Sequence, residues 1–325
     1  MRAETGNQDR GMGIRNFGDL VRKRVRLRKL FEQETIGLLV EETALRLVGV
    51  AGERVVRWGS APIPPGVVVR SQVRQPDALC GAVQGLFDAH KAPRNRIILG
   101  ITGIGTASRL LPLPPDSSLP DSDTIRDAVA RLMPTDGRHL AWQTVEQNGQ
   151  RAVYVLVTPQ VSLGTHLDAL AAADIAPVAV DLKPLALVRA VGQRNAVVAD
   201  LEHTLLTLAI VDGAIPQSVR VLPLDFPSVS RAEDKVIRLI DELQRLIDQR
   251  NREVTQQGDG QAGTRIHAAM PIWVSGTLAN HALLRAAIRD GLEHPCTVAP
   301  APLDCPPELP VAQYLACLGL VMKRV

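Results

Sequence analysis

Apolar positions along the chain fall into two similar strand patterns set among helix-bearing stretches. Ile36 to Val40 is a compact apolar run, Ala44 to Val50 alternates after it, and Arg54 to Trp58 adds a third piece beyond a turn at Gly52 and Glu53. That spacing predicts an antiparallel meander. A second meander runs through Ala196–Asp200, Leu205–Val211 and Ser218–Leu224, with Asp212 and Gly213 as its hairpin turn.

Between the meanders the period changes. Leu79, Val83, Leu86 and Phe87 share one face of a predicted helix from Pro76 to His90, and Pro76 suits its first turn. A strand is predicted at Arg96–Ile101, a Pro-, Ser- and Asp-rich loop over 112–123, and a helix marked by Ile125, Ala128, Val129 and Leu132 that ends before Pro134. Strands at Leu140–Glu146 and Arg151–Thr158 flank a turn at Gln147 to Gly149, and a helix follows over Ser162–Asp174. This order predicts an inserted α+β subdomain over 72–178. A strand from Val178 and a helix from Lys183 to Ala190 lead to the second meander. Beyond it, Ser230 and Glu233 form a capping box for a helix to 251, with Val236, Ile240, Leu243 and Ile247 on one face. A polar loop (255–263), a strand at Pro271–Ser275, a turn at Gly276, a helix to Gly291, a Pro-rich stretch (295–310) and a last helix at Val311–Val325 complete the reading.

Composition changes this picture in one place. The 325 residues are 46% hydrophobic and 22% charged, which is globular and long enough for two or three subdomains. The net charge of +3 conceals an uneven distribution, because residues 1–30 hold nine basic against three acidic side chains. The body is therefore slightly acidic, which argues against a nucleic-acid-binding core. Residues 1–13 show no apolar periodicity and predict disorder. In 14–30, Ile14, Phe17, Leu20, Val21 and Val25 recur among basic residues, as in an amphipathic helix that lies on an anionic membrane or docks on a partner; a solvated basic tail is the plainer alternative. No run of 18 uncharged apolar residues predicts a transmembrane helix. The four cysteines (Cys80, Cys296, Cys305, Cys317) lie too far apart for a zinc motif and read as reduced, mostly buried thiols of a cytoplasmic protein.

Residues 36–50, IGLLVEETALRLVGV, resemble the opening LGIDIGSSSVKLVQL pattern of the actin-like FtsA/PilM family without a gap. Ala199 to Thr204 stands where that family has VDIGASTT. The helix from Lys183 resembles its EPLALLRA segment, Ile240 to Asp248 its EIQRSLDYY helix, Ile272 to Thr277 its strand–Gly–Gly turn, and Tyr314 to Lys323 its closing ALGLALR. The resemblance covers most of 36–325 and implies an α/β, actin/Hsp70-like ATPase fold. Two RNase H-like halves are expected, the first from 36–71 and 179–194 and the second from 195–325, with the inserted subdomain and a basic extension over 1–35. In such a fold one hairpin from each half wraps nucleotide phosphates, with Gly, Ser and Thr turns that let backbone N–H groups approach.

The departures concentrate at those turns. The family's metal-side Asp falls on Leu39, its Gly on Glu41, and two hydroxyl residues on Glu42 and Ala44; the second hairpin has Glu202 for Gly, and the adenosine-side turn has Thr277 for Gly. A carboxylate about 4 Å from a phosphate charge is repelled by roughly 4 kcal/mol at an effective dielectric of 20. Nucleotide binding is accordingly expected to be weak or absent, and the chain to be a pseudo-ATPase. If a nucleotide does bind, Thr43, Arg46, Asp200, Thr204 and Gly276 are the residues expected to hold it, with Asp200 positioning Mg²⁺-bound water; capping the end of a strand is the plainer role for Asp200. His203, His267 and His281 lack partners that would make them catalytic. Gly100 to Gly105 resembles a phosphate loop but lacks the Lys and the following helix, so it predicts a tight turn between strands. The resemblance implies a cytoplasmic scaffold of a type IV pilus or secretion platform, peripheral at the inner membrane. A PilN-like peptide would occupy a groove between 36–58 and 72–178. The alternatives are an active ATPase of the same fold or an FtsA-like division protein. The latter normally anchors through a C-terminal amphipathic helix, whereas the amphipathic stretch here is N-terminal.

Overall fold

A computed structural model describes residues 33–113, 121–147, 149–224, 231–257 and 264–324. The basic stretch 14–30 and Ser230 of the capping box lie outside them.

The first meander consists of β1 (Thr35–Val40), β2 (Ala44–Ala51) and β3 (Arg54–Pro62), antiparallel throughout. Two parallel strands, β6 (Ile97–Ile101) and β10 (Ala179–Leu182), extend it on the β1 side, giving the order β10-β6-β1-β2-β3. All five residues of β6 are buried, as a strand covered on both faces must be. The second half repeats this plan. Here β11 (Ala196–Leu201), β12 (Leu205–Asp212) and β13 (Ile215–Pro223) form the meander, extended by β14 (Ile272–Ser275) and β15 (Cys296–Val298) in the order β13-β12-β11-β14-β15.

The repeat extends to single residues. Val40 pairs with Leu45 at the tip of the first hairpin, and Leu201 with Leu206 at the tip of the second. Each middle strand slips register at the same place, between Gly49 and Val50 and between Ile210 and Val211. Residues 39, 41, 43 and 46 thus correspond to 200, 202, 204 and 207. This is the actin-like ATPase architecture in mixed α/β form.

Helices cover the sheets as their apolar faces require. α1 (Pro76–Ala89) buries the predicted face Leu79, Val83, Leu86 and Phe87. α5 (Ala232–Gln257) buries Val236, Leu239, Leu243, Leu246 and Ile247 in the second-half core. α4 (Lys183–Val191) leaves β10 and crosses α7 (Val311–Val321) at very short range: a Cβ at Gly319 would lie 1.9 Å from the Ala186 carbonyl oxygen. Both helices belong to a core shared by residues of the two sheets. Short pieces complete the fold: β4 (Val68–Val69), β5 (Gln72–Val73) and α6 (Ala282–Leu292).

The insertion is narrower than the pattern over 72–178 suggests. Its own sheet holds β7 (Ala107–Pro112), β8 (Arg138–Gln147) and β9 (Gln150–Pro159) in the order β7-β9-β8, backed by α2 (Ser122–Leu132) through Ile125, Val129 and Met133. β6 joins the first sheet instead, and α1 and α3 (Gln160–Ala172) bury residues in the first-half core. Hydrophobic pattern predicts that β6 is a strand but not which sheet it joins, because parallel pairing with β1 is set by contacts distant in sequence. The stretch 102–106 is the expected turn between β6 and β7, with Gly103 and Gly105 at positive φ. Only Cys317 of the four free cysteines is fully buried; the others are half-buried.

Candidate functional site

The two hairpin turns face each other across the middle of the molecule. Each closes in the same way: Glu41 N–H donates to Ala44 O at 3.1 Å, and Glu202 N–H to Leu205 O at 2.9 Å. Thr43 and Thr204 serve their turns through backbone carbonyls, which accept from Ile63 N–H (2.9 Å) and Leu224 N–H (2.8 Å). The Thr43 side chain is exposed.

Five ionisable side chains meet between the turns. Lys183, the first residue of α4 and wholly buried, places Nζ 2.6 Å from Glu41 Oε1, 2.5 Å from Asp200 Oδ2 and 3.6 Å from Glu202 Oε1. Arg46 projects from β2, pairs with Glu41 through one guanidinium nitrogen, and with the other donates to Glu202 Oε2 and Thr277 Oγ1, both at 3.0 Å. Thr277 donates in turn to Glu202. Ser275 Oγ donates to Asp200 Oδ1 at 2.8 Å. Gly276, at φ +94°, lets the chain turn between Ser275 and Thr277; a Cβ there would sit 2.4 Å from Leu201 O. This is a position where only glycine fits, for conformational and steric reasons together.

All five charged groups are buried. Two cations meet three carboxylates, so the cluster carries one excess negative charge if every group is ionised. Burial pushes the carboxyls of Glu41 and Asp200 above the ordinary range, assisted by Glu202 and opposed by Lys183. Burial acts the same way on Glu202, but Lys183, Arg46 and the Thr277 hydroxyl outweigh it and hold that carboxyl below its ordinary value. Burial alone would depress Lys183 and Arg46, yet the facing carboxylates raise both. The result is a cluster whose opposite charges are mutually compensated in low dielectric.

Of the residues picked out from the sequence, Arg46 and Asp200 lie in this cluster, Gly276 adjoins it, and Thr43 and Thr204 sit in the turns beside it. Glu41 and Glu202 are each paired with both cations. Glu42 accepts from the Arg70 N–H. Lys183 is the member that the sequence reading missed. Its signal was in plain view: the family segment EPLALLRA has Glu where this chain has Lys, a reversed charge opposite two unexpected glutamates.

A second feature is an apolar cavity of about 450 Å³ between the insertion and the first half. Trp142, Tyr154 and Leu156 line it from the three-stranded sheet, Leu163 and Leu167 from α3, and Leu185 from α4. None of its lining residues comes from 36–58, so the cavity is bounded by β10 and α4 rather than by the first meander. Trp142 is 37% exposed, unusually open for so large an apolar side chain.

No protein-family model and no curated protein matches this sequence. Solved structures do. The chain is similar to one in the PilM-PilN type IV pilus biogenesis complex, with TM-score 0.67 and 20% identity over 90% of this chain and 98% of that one. It also matches the cytoplasmic domain of EpsL, an inner membrane component of the type II secretion system of Vibrio cholerae (TM-score 0.49, 12% identity, 90% and 97% covered). A third match is the ethanolamine utilization protein EutJ of Carboxydothermus hydrogenoformans (TM-score 0.48, 13% identity, 89% of each chain covered). At these identities the likeness is one of fold: the chain is an actin-like ATPase-fold protein whose architecture matches PilM over nearly its whole length.

Proposed function

We propose that this chain is a cytoplasmic scaffold of a type IV pilus or related secretion platform, held at the inner membrane by its partners, and that its cleft takes no nucleotide. The observation that carries this reading is the buried ion cluster. A triphosphate would need the cations Lys183 and Arg46, which are already committed to Glu41, Asp200 and Glu202. It would also meet those carboxylates at close range, with Leu39 in place of a metal-side Asp. The residues present do not suit Mg-ATP, and no hydrolytic step is assigned to them.

Partner binding is supported by the likeness to the PilM chain of a PilM-PilN complex. The apolar cavity beside Trp142 offers a place for a short peptide of a PilN-like inner-membrane protein. Residues 14–30 would add contact with an anionic membrane surface. The test is calorimetric titration of the full chain with the cytoplasmic N-terminal peptide of a PilN-like membrane protein encoded beside it. Binding that weakens about tenfold or more in Trp142→Ala is expected, in line with the cost of removing a central aromatic anchor. Absence of binding to any such peptide overturns the scaffold reading. Micromolar affinity for Mg-ATP overturns the nucleotide-free cleft and restores the ATPase reading. Vesicle flotation with and without residues 1–30 tests the membrane contact.

A further inference from the structure

Each cation of the cluster reaches both halves of the molecule. Arg46, on the first sheet, pairs with Glu41 of its own half and donates to Glu202 and Thr277 of the other. Lys183, at the end of the first sheet, pairs with Glu41 on one side and with Asp200 and Glu202 on the other. Separating the turns would leave Lys183, Arg46 and Glu41 on one face, net positive, and Asp200 and Glu202 on the other, net negative. The faces are thus complementary in charge, and their burial shields the attraction from salt. Arg189 Nη1 donates to Gly319 O at 2.7 Å where α4 crosses α7, and both helices lie in a core shared by residues of the two sheets, so the halves are joined there and again at the turns.

We propose that the cluster is a built-in clamp that holds the two halves closed on each other, occupying the cleft with side chains of the chain itself. The proposal rests on the nucleotide-free reading of the cleft. It makes the closed arrangement a fixed property of the fold rather than a ligand-dependent state, as a scaffold that presents one constant surface would require.

The test is amide hydrogen exchange on the full chain, comparing wild type with Arg46→Met/Glu202→Gln, which removes a linked cation and carboxylate together and leaves no new unpaired charge from that pair. Exchange about tenfold or more faster over 40–46 and 200–207 is expected, the scale of losing hydrogen bonds to charged groups. The three-stranded insertion sheet should exchange as in wild type. Unchanged exchange at the turns, or an equal acceleration everywhere, overturns the clamp. If that variant does not fold, Thr277→Val removes only the hydroxyl shared by Arg46 and Glu202; a local acceleration supports the clamp and its absence overturns it. Adding Mg-ATP to wild type separates the two claims: new protection at the turns defeats the nucleotide-free reading, whatever the variants show.

Discussion

The two hairpins have one backbone plan and opposite chemistry. At corresponding positions the first half has Leu39 and Arg46, the second Asp200 and Thr207. The neighbouring parallel strand supplies Gly100 beside Leu39 and Ser275 beside Asp200. Leu39 and Gly100 make an apolar contact surface, with Leu320 seated where a Cβ on Gly100 would go. Asp200 and Ser275 make a polar one, joined by a hydrogen bond. The turn glutamates, Glu41 and Glu202, and the turn threonines, Thr43 and Thr204, are common to both. A duplicated scaffold therefore fixes the backbone geometry, while a few side chains decide whether a turn contributes cation or anion to the cleft.

The sharpest way to break this complementarity is to remove the wholly buried one of the two cations that both halves share. Lys183→Met leaves Glu41 and Glu202 with Arg46 alone and Asp200 with only the Ser275 hydroxyl, and should cost about 3–5 kcal/mol in urea unfolding of the full chain. Adding Asp200→Asn to it should recover a large part of that loss. A Lys183→Met protein of wild-type stability would show that the pairs in the cluster contribute nothing net.

The second test acts on one half only. Ser275→Ala deletes the donor to the Asp200 carboxylate and should cost about 1.5–3 kcal/mol, the range for a hydrogen bond to a charged group. The corresponding change in the first half, Gly100→Ala, acts by crowding rather than by polarity, since its Cβ would meet Leu320 at 2.6 Å. Overpacking of this kind typically costs about 1–3 kcal/mol. Similar losses with different pH dependence would confirm the contrast; pH dependence at Gly100→Ala as strong as at Ser275→Ala would contradict it.

Most of the fold was legible because its elements carry local signals: alternation in both meanders, the 3.6-residue period of α1 and α5, and turns marked by Gly. What could not be read is non-local. β6 was recognisable as a strand but not as a partner of β1. β15 is three residues in a Pro-rich stretch, and β7 was marked only as the strand beyond the Gly100 to Gly105 turn, with no sheet partner. The candidate site was legible where the family pattern named a position, hence Arg46, Asp200 and Gly276. Lys183 lies 142 residues from Glu41, and no periodicity joins them. Charge seen one position at a time shows only carboxylates at phosphate positions; the cations that pair with them are brought there by the fold.

The cluster also predicts a pH profile. Glu41 and Asp200 have raised folded-state values, so the folded chain binds more protons than the unfolded chain once pH exceeds their ordinary range. Their contribution to stability declines as pH rises through those raised values, at most about 1.4 kcal/mol per pH unit for each proton. Glu202, held low, acts in the opposite sense and loses its contribution as pH falls below its ordinary range. The contribution of the cluster to the urea midpoint should therefore be largest near the ordinary carboxylate range. Glu41→Gln, which imitates the protonated carboxyl, should flatten the decline on the alkaline side. An unaltered slope in that variant would place the proton elsewhere.

The smallest effects are expected at Thr43 and Thr204, the corresponding hydroxyls that the family pattern places against phosphate. Their carbonyls close the turns, and an alanine provides the same carbonyl. Thr43→Ala alters an exposed side chain and should shift stability by no more than about 0.5 kcal/mol. Thr204→Ala should be nearly as mild, because its side chain is only half-buried while the bond to Leu224 is made by the backbone. The informative measurement is the pair of variants in thermal unfolding with and without Mg-ATP. If the hydroxyls only decorate two turns clamped by ions, nucleotide moves neither the wild type nor the variants. A nucleotide-dependent shift in wild type that is lost in both variants would mean that the two hairpins still act together on phosphate, and that the opposite chemistry of the halves had not displaced the ligand.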